Sequence, residues 1–312
     1  NEAVLTYDTV AGERYFALQL QPKLEGKWVA PRDYLVLIDS TASQAGATFL
    51  ASRLLVAQLT RSLGRQDRMA VWNVNDKTTE LTTGWLPAGD PGLKAAVEKL
   101  DKVTPLGAAD LKAAVAKAVG AFDNQAGRQQ VIFYIGDGMS TLNPFSATDR
   151  QQLAKDLVER RVQFFPMLLG GNVEVLDASA LAVLTGGVVL GLDPPANPLR
   201  VIAAVQETMS QPVLYPESFR MGAGVLEHFP TTLPPLRGDV STLVVGRLDK
   251  GATLVQAKVA GQVRGRAQEV AIEEKVAEPM LECFFLVNMA KQWSRAKEHP
   301  ALMQADYSLA FA

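Results

Sequence analysis

Residues 34–43 read Tyr34-Leu35-Val36-Leu37-Ile38-Asp39-Ser40-Thr41-Ala42-Ser43. A nearly continuous apolar run of this length suits a strand buried on both faces of a parallel sheet. It ends on a carboxylate followed by three hydroxyls, so the polar chemistry starts where the strand stops. The same texture returns at residues 69–74, 131–135, 162–169 and 187–190, each run rich in β-branched or aromatic side chains. Helical spacing fills the gaps. Ser43 is placed to cap a first helix carrying Leu55, Leu59 and Leu63 and stopping at Gly64. Leu111, Ala114, Val115, Ala118 and Val119 form a 3.6-residue stripe ending at Gly120. A third helix over about 148–160 turns Leu153 and Leu157 inward. Strand and helix alternating in this order predict a doubly wound α/β fold with a mostly parallel sheet over residues 30–210.

Beyond that block the period changes. Asp193-Pro194-Pro195-Ala196-Asn197-Pro198 continues neither helix nor strand, and a last helix is expected from about Leu199 to Met209. From residue 212 to about 272 the pattern alternates with period two, with turns at Gly251 and Arg264-Gly265. The opening segment Tyr15-Phe16-Ala17-Leu18-Gln19-Leu20 alternates in the same way. The expectation is a small antiparallel β module, discontinuous in sequence, made of residues 1–29 and 211–275. Residues 276–312 then read as a C-terminal helical tail of two amphipathic helices, the first carrying Leu281, Phe284, Phe285, Val287, Met289 and Trp293, the second Leu302 and Met303.

Composition excludes several classes. The 312 residues are 48% hydrophobic and 21% charged, as in ordinary globular proteins. Thirty-one basic against 33 acidic residues leave a net charge of -2, which predicts no electrostatic capture of nucleic acid. The longest apolar runs are about five to seven residues, against the roughly 20 that a membrane span needs. A single cysteine, Cys283, excludes an internal disulfide and a cysteine-based metal site. The start Asn1-Glu2-Ala3-Val4 carries no leader pattern, which reads as a processed form or a piece of a longer protein.

Three loops leave the predicted sheet at strand carboxyl ends, where folds of this class place their ligands. They are Asp39-Ser40-Thr41-Ala42-Ser43, then Thr104-Pro105-Leu106-Gly107-Ala108-Ala109-Asp110-Leu111, then Ile135-Gly136-Asp137-Gly138. Two carboxylates and several hydroxyls on one sheet edge make a hard-oxygen set of the kind Mg²⁺ prefers.

This arrangement resembles the von Willebrand factor type A domain and its metal-ion-dependent adhesion site. That family places Asp-x-Ser-x-Ser after the first core strand, a Thr in a Gly-Gly-Thr-Asp-type turn, and Asp-Gly after the central strand. Here Asp39, Thr41 and Ser43 stand in the first motif and Asp137-Gly138 in the third. In the second, Gly107-Ala108-Ala109-Asp110, Ala109 falls where the family has its metal-contacting Thr. The resemblance implies direct metal contact by Thr41 and Ser43, and contact through water by Asp39 and Asp137. With Ala109 withholding one ligand, the site is degenerate and Mg²⁺ is bound weakly or not at all. A protein partner would then be met through an acidic side chain at the metal, or by surface complementarity alone.

A second stretch, from Phe229-Pro230 through Leu236-Arg237-Gly238-Asp239 to Val245-Gly246, resembles the segment after the type A domain in inter-alpha-trypsin-inhibitor heavy chains and in large bacterial proteins of that layout. This resemblance implies an extracytoplasmic location. The function it implies is non-enzymatic protein–protein interaction or adhesion.

Two other classes stay open. One is a structural block of a larger assembly, using β edges and the apolar tail. The other is a metal-dependent phosphotransfer enzyme, which would want a second Asp where Thr41 stands. His228 and His299 both lie outside the α/β block, so no Ser-His-Asp set forms at its edge. Gly136-Asp137-Gly138 lacks the third glycine of a dinucleotide loop.

Overall fold

A computed structural model describes residues 3–29, 31–123, 125, 127–191 and 197–296. The chain divides into two compact units, residues 28–210 and residues 1–27 with 211–312. In chain order it opens with β1 (Val4–Asp8) and β2 (Arg14–Leu20). It then enters the α/β unit through β3 (Arg32–Asp39), α1 (Ala47–Ser62), β4 (Arg68–Val74), β5 (Thr78–Glu80), β6 (Leu86–Pro87) and α2 (Pro91–Leu100). The unit continues through α3 (Leu111–Ala121), β7 (Gln129–Gly136), α4 (Ala147–Glu159), β8 (Val162–Leu168), α5 (Val175–Thr185) and α6 (Pro198–Met209). Strands β9 (Val213–Met221), β10 (Val225–Phe229), β11 (Leu236–Arg237), β12 (Thr242–Leu248), β13 (Leu254–Val263) and β14 (Arg266–Lys275) follow, and α7 (Phe285–Arg295) closes the described chain.

The α/β unit is built on the order β5-β4-β3-β7-β8, with β6 also on β4. Strand β3 pairs in parallel with β4 and β7, and β7 with β8; only β5 and β6 run antiparallel. Alternation sorts the central strand. Tyr34, Val36 and Ile38 pack with Leu55 and Leu59 of α1, Leu93 and Leu100 of α2, and Ile202 and Val205 of α6. The opposite face takes Leu35, Leu37, Ile132 and Phe164, all wholly buried, on the side where α4 and α5 pack against β8. Because the chain runs from β3 outward to β4 and then returns to β7, the order reverses between β3 and β7, and a crevice opens at their carboxyl ends. The unit starts and stops at one place: the Trp28 N–H donates to the Ser210 carbonyl at 2.5 Å.

The other unit is a β-sandwich. One sheet has the order β1-β2-β12-β10 and the other β11-β9-β13-β14. Strand β2 lies antiparallel on β12 from Arg14 with Leu248 to Leu20 with Thr242, so N- and C-terminal segments share one sheet. Phe16, Leu18, Leu20, Val244, Leu214, Val255 and Val259 fill the space between the sheets. The reverse face of the first sheet, with Tyr15, Ala17 and Val245, is covered by Leu286, Met289 and Trp293 of α7.

Three expectations change, and one falls outside the described residues. Helix α1 is capped by Gly46 and not Ser43, because residues 42–44 form a separate 3₁₀ turn and the Ser43 hydroxyl is used elsewhere. The run at 187–190 contributes a single bridge, Leu190 to Met167, and no strand. There Gly186 takes the left-handed cap of α5, and a Cβ on Gly187 would fall 1.9 Å from the Phe164 carbonyl oxygen. Only the first tail helix is seen, as α7 after a 3₁₀ turn; the second, at Leu302 and Met303, lies outside the described residues, as does His299. The apolar face of the tail is also spent on its own sheet, leaving Leu281 and Phe284 as its exposed large apolar residues. Among the described residues no helix is long and apolar enough to cross a membrane.

Candidate functional site

The switch point brings Asp39, at the end of β3, against the loop that follows β7. Asp39 is wholly buried, and both of its oxygens are occupied: Oδ1 accepts the Thr41 N–H at 2.8 Å and Oδ2 accepts the Tyr134 hydroxyl at 3.2 Å. Thr41 and Ser43, two residues apart, join their hydroxyls at 2.8 Å. The Ser43 hydroxyl donates to Asp137 Oδ2 at 2.5 Å, so Thr41 is the donor between the two hydroxyls. Asp137 Oδ1 accepts the Met139 N–H at 2.9 Å, and its backbone carbonyl accepts the Glu174 N–H at 2.7 Å, tying the start of α5 to the site. Asp39, Thr41, Ser43 and Asp137 thus form one hydrogen-bonded constellation.

Ala109 sits beside it as a buried methyl. Its N–H donates to the Thr141 hydroxyl at 3.2 Å and its carbonyl accepts the Leu142 N–H at 3.0 Å. The loop before α3 is tied to the first loop twice, Leu106 N–H to the Ser40 carbonyl and Ala42 N–H to the Gly107 carbonyl. These ties hold four aliphatic side chains next to the site. Leu106, Leu142, Val175 and Leu176 are each between 41% and 64% exposed. Single exposed aliphatic residues are commonplace, but two on the loops beside the constellation and two in the first turn of α5 make a group.

Tyr134 was not expected here. Its hydroxyl donates to Asp39 and accepts the Gly138 N–H at 3.0 Å, linking the two strand ends from below. The signal was present: a tyrosine inside a wholly buried strand must find a partner for its hydroxyl. Burial holds the Tyr134 phenol well above its usual range. Gly136 is required by the same contact, since a Cβ there would lie 2.3 Å from the Tyr134 hydroxyl.

Burial, reinforced by the neighbouring Asp137 charge, pushes Asp39 up to about 6 against the opposing hydrogen bonds from Thr41 and Tyr134. The folded state therefore holds this proton more tightly than the unfolded chain, whose carboxyl titrates near 3.8. The linked stability is complete below the lower value and is lost as pH rises through the upper one. Protein freed of divalent ions should lose stability relative to Asp39→Asn between about pH 4 and pH 7. Urea midpoints of the two proteins across that range check this, and parallel curves would contradict it.

Among the described residues no three carboxylates, imidazoles or thiols come together, so any ion here rests on two carboxylates and two hydroxyls. Each carboxylate oxygen keeps a second lone pair beyond the bond it accepts, and all four side chains offer hard oxygen. Hard oxygen of this kind suits Mg²⁺ or Mn²⁺, and the Ala109 side chain adds none. Trp85 lies apart, its indole N–H on the Ala121 carbonyl and its ring against Phe122. His228 is in the sandwich, its Nδ1 3.1 Å from the Pro230 carbonyl.

Comparison with known proteins gives a family match and structural likenesses. The family model described as von Willebrand factor type A domain matches residues 33–189, about half of the chain. The solved structure of a von Willebrand factor type A protein from Catenulispora acidiphila is similar with a TM-score of 0.54 and 12% identity, covering 89% of this chain and 71% of that one. Human COPII-coat protein Sec24c is similar with a TM-score of 0.54 and 13% identity, covering 84% of this chain and 46% of Sec24c. At such identities the likeness is one of fold. No curated protein matches the sequence.

Proposed function

The chain belongs to the von Willebrand factor type A domain family, whose modules commonly mediate protein–protein interaction or adhesion, and from that premise we propose that it is a non-enzymatic interaction module. Its docking surface is the upper face around Asp39, Thr41, Ser43 and Asp137. The observation that carries this reading is a set of exposed aliphatic side chains on the segments that meet there: Leu106 and Leu142 on loops bonded to Ser40 and Ala109, and Val175 and Leu176 in the first turn of α5, whose cap Glu174 is bonded to Asp137.

Thr41 and Ser43 would hold a divalent ion directly, with Asp39 and Asp137 behind ordered water. When bound, such an ion accepts a carboxylate from the partner. Ala109 makes this site weak. The resemblance to inter-alpha-trypsin-inhibitor heavy chains supports an extracytoplasmic setting. A second reading, a structural block in a larger assembly, draws on the sandwich edges alone, since the apolar face of α7 is already covered.

The test is calorimetric titration of Mg²⁺ and Mn²⁺ into chelator-stripped protein, alongside Asp39→Ala and Ala109→Thr. Weak saturable binding is expected in the wild type and none in Asp39→Ala. Restoring the hydroxyl in Ala109→Thr should tighten binding by about tenfold. Failure of both wild type and Ala109→Thr to bind would remove metal from the mechanism. For docking itself, partner retention should fall in a Leu106→Asp/Leu142→Asp variant; retention unchanged in that variant would sink the upper-face assignment.

A further inference from the structure

The strand β14 is the outermost of its sheet and, among the described residues, pairs with β13 alone. The two are joined by Arg264-Gly265, with φ of 54° and 72°, a two-residue turn with both centres left-handed. Such a turn makes Val263 and Arg266 a hydrogen-bonded pair, so residues 266, 268, 270, 272 and 274 spend their backbone groups on β13. The N–H and C=O groups of 267, 269, 271, 273 and 275 point to the open edge. On the core-facing side Val270 and Ile272 pack against the sandwich core and are only partly buried, so the apolar stripe runs out to this edge.

Charges on an edge strand ordinarily guard it against pairing. Here their spacing does the reverse for one occupant. We propose that β14 pairs antiparallel with β14 of a second copy of this chain, about a two-fold axis through Val270. That register sets Arg266 against Glu274 at both ends, Gln268 against Ile272, and Val270 against itself. On the other face Glu269 meets Ala271 and Glu273 meets Ala267. No like charges stand opposite each other. Axes one residue away put Glu269 on Glu269, or Glu269 on Glu273. The parity agrees as well, because the residues that meet as hydrogen-bonded pairs, 267 with 273 and 269 with 271, are those whose backbone groups are open. About eight main-chain hydrogen bonds would form. Among the described residues neither Arg266 nor Glu274 makes an ion pair within its own chain. This interface is independent of the upper-face site.

Sedimentation equilibrium of the full chain tests it. The wild type should show a reversible monomer–dimer equilibrium. Arg266→Glu and Glu274→Arg should each weaken the dimer by about tenfold or more, since every reversal acts twice across the axis. The double reversal Arg266→Glu/Glu274→Arg should restore it. Arg266 is exposed and Glu274 only half-buried, so folding is not at stake, and circular dichroism verifies that. Val270→Cys should in addition give a covalent dimer on mild oxidation, with the buried Cys283 as an inert background. A wild type that stays monomeric at every concentration overturns the proposal. So does a dimer that survives both single reversals, which would use another surface.

Discussion

Replacing Asp33 by alanine should cost about 3–5 kcal/mol of stability, a large share of what holds a domain folded. Asp33 sits at the amino end of β3, at the opposite end of the strand from Asp39, and is fully buried. Its carboxylate takes Arg68 Nε and Nη2 at 2.8 Å each and Arg128 Nε at 2.6 Å. Arg68 also reaches Asp123 at 2.7 Å, and its guanidinium lies 5.3 Å from the centre of the Trp85 ring. Arg128 reaches further, to the backbone carbonyls of Arg32 and Gln66. The two arginine side chains are only 19% and 15% exposed, so removing the shared anion leaves two poorly solvated cations side by side with Asp123, on Arg68, as their remaining carboxylate. The Asp33 bonds are the largest reason that the Arg68 guanidinium holds its proton more tightly than usual. Breaking a buried pair from one side is expensive even where the intact pair contributes little net stability. Denaturant unfolding of Asp33→Ala measures the loss. A change under about 1 kcal/mol, in the range of an exposed pair, would show that solvent already screens the cluster.

Gly136→Ala carries the second large effect. The added carbon would stand 2.3 Å from the Tyr134 hydroxyl and 2.4 Å from Asp39 Cβ. Both neighbours are fully buried, so neither can swing into solvent to make room. Overpacking of this kind costs about 1–3 kcal/mol. It also separates Tyr134 from Asp39, so any Mg²⁺ binding or partner retention at the upper face should fall with stability. Combining it with Tyr134→Phe removes the hydroxyl clash and leaves the Tyr134 ring carbon Cζ at 2.7 Å and Asp39 Cβ at 2.4 Å, so the double variant should be less destabilised than the sum of the singles. Strict additivity would mean that the methyl is accommodated by backbone movement instead.

The strands were readable because a strand buried on both faces announces itself as a continuous apolar run, and residues 34–38 do so without help from the rest of the chain. The candidate site was half readable for a related reason: Asp39 and Asp137 each follow such a run directly. What could not be read are the pairings across the fold. Ser43 bonds Asp137 from 94 positions away, Tyr134 bonds Asp39 from 95, and Arg128 bonds Asp33 from 95. Local spacing cannot choose between a helix cap and a distant carboxylate for the same hydroxyl, and for Ser43 the distant one prevailed. The run at 187–190 misled in the opposite sense, since apolar content alone does not reveal that glycines at 186 and 187 are needed for a close approach to Phe164. Asp33 stands one residue before the apolar run, and nothing local to it signals its bonds to Arg68 and Arg128.

The α/β unit is an interruption of the sandwich: β2 is laid down early, while its partner β12 lies more than 200 positions later. On the ribosome the N-terminal hairpin therefore emerges long before the strand that covers it. The α/β unit, whose own first and last residues meet at Trp28 and Ser210, can complete itself in the meantime. Phe16, Leu18 and Leu20 spend that interval without their sheet. The sandwich thus closes last, after the slow search that distant strand pairing imposes. A nascent-chain arrest series would see protease resistance arrive first for residues 28–210, and for residues 4–20 only once β12 has cleared the exit tunnel.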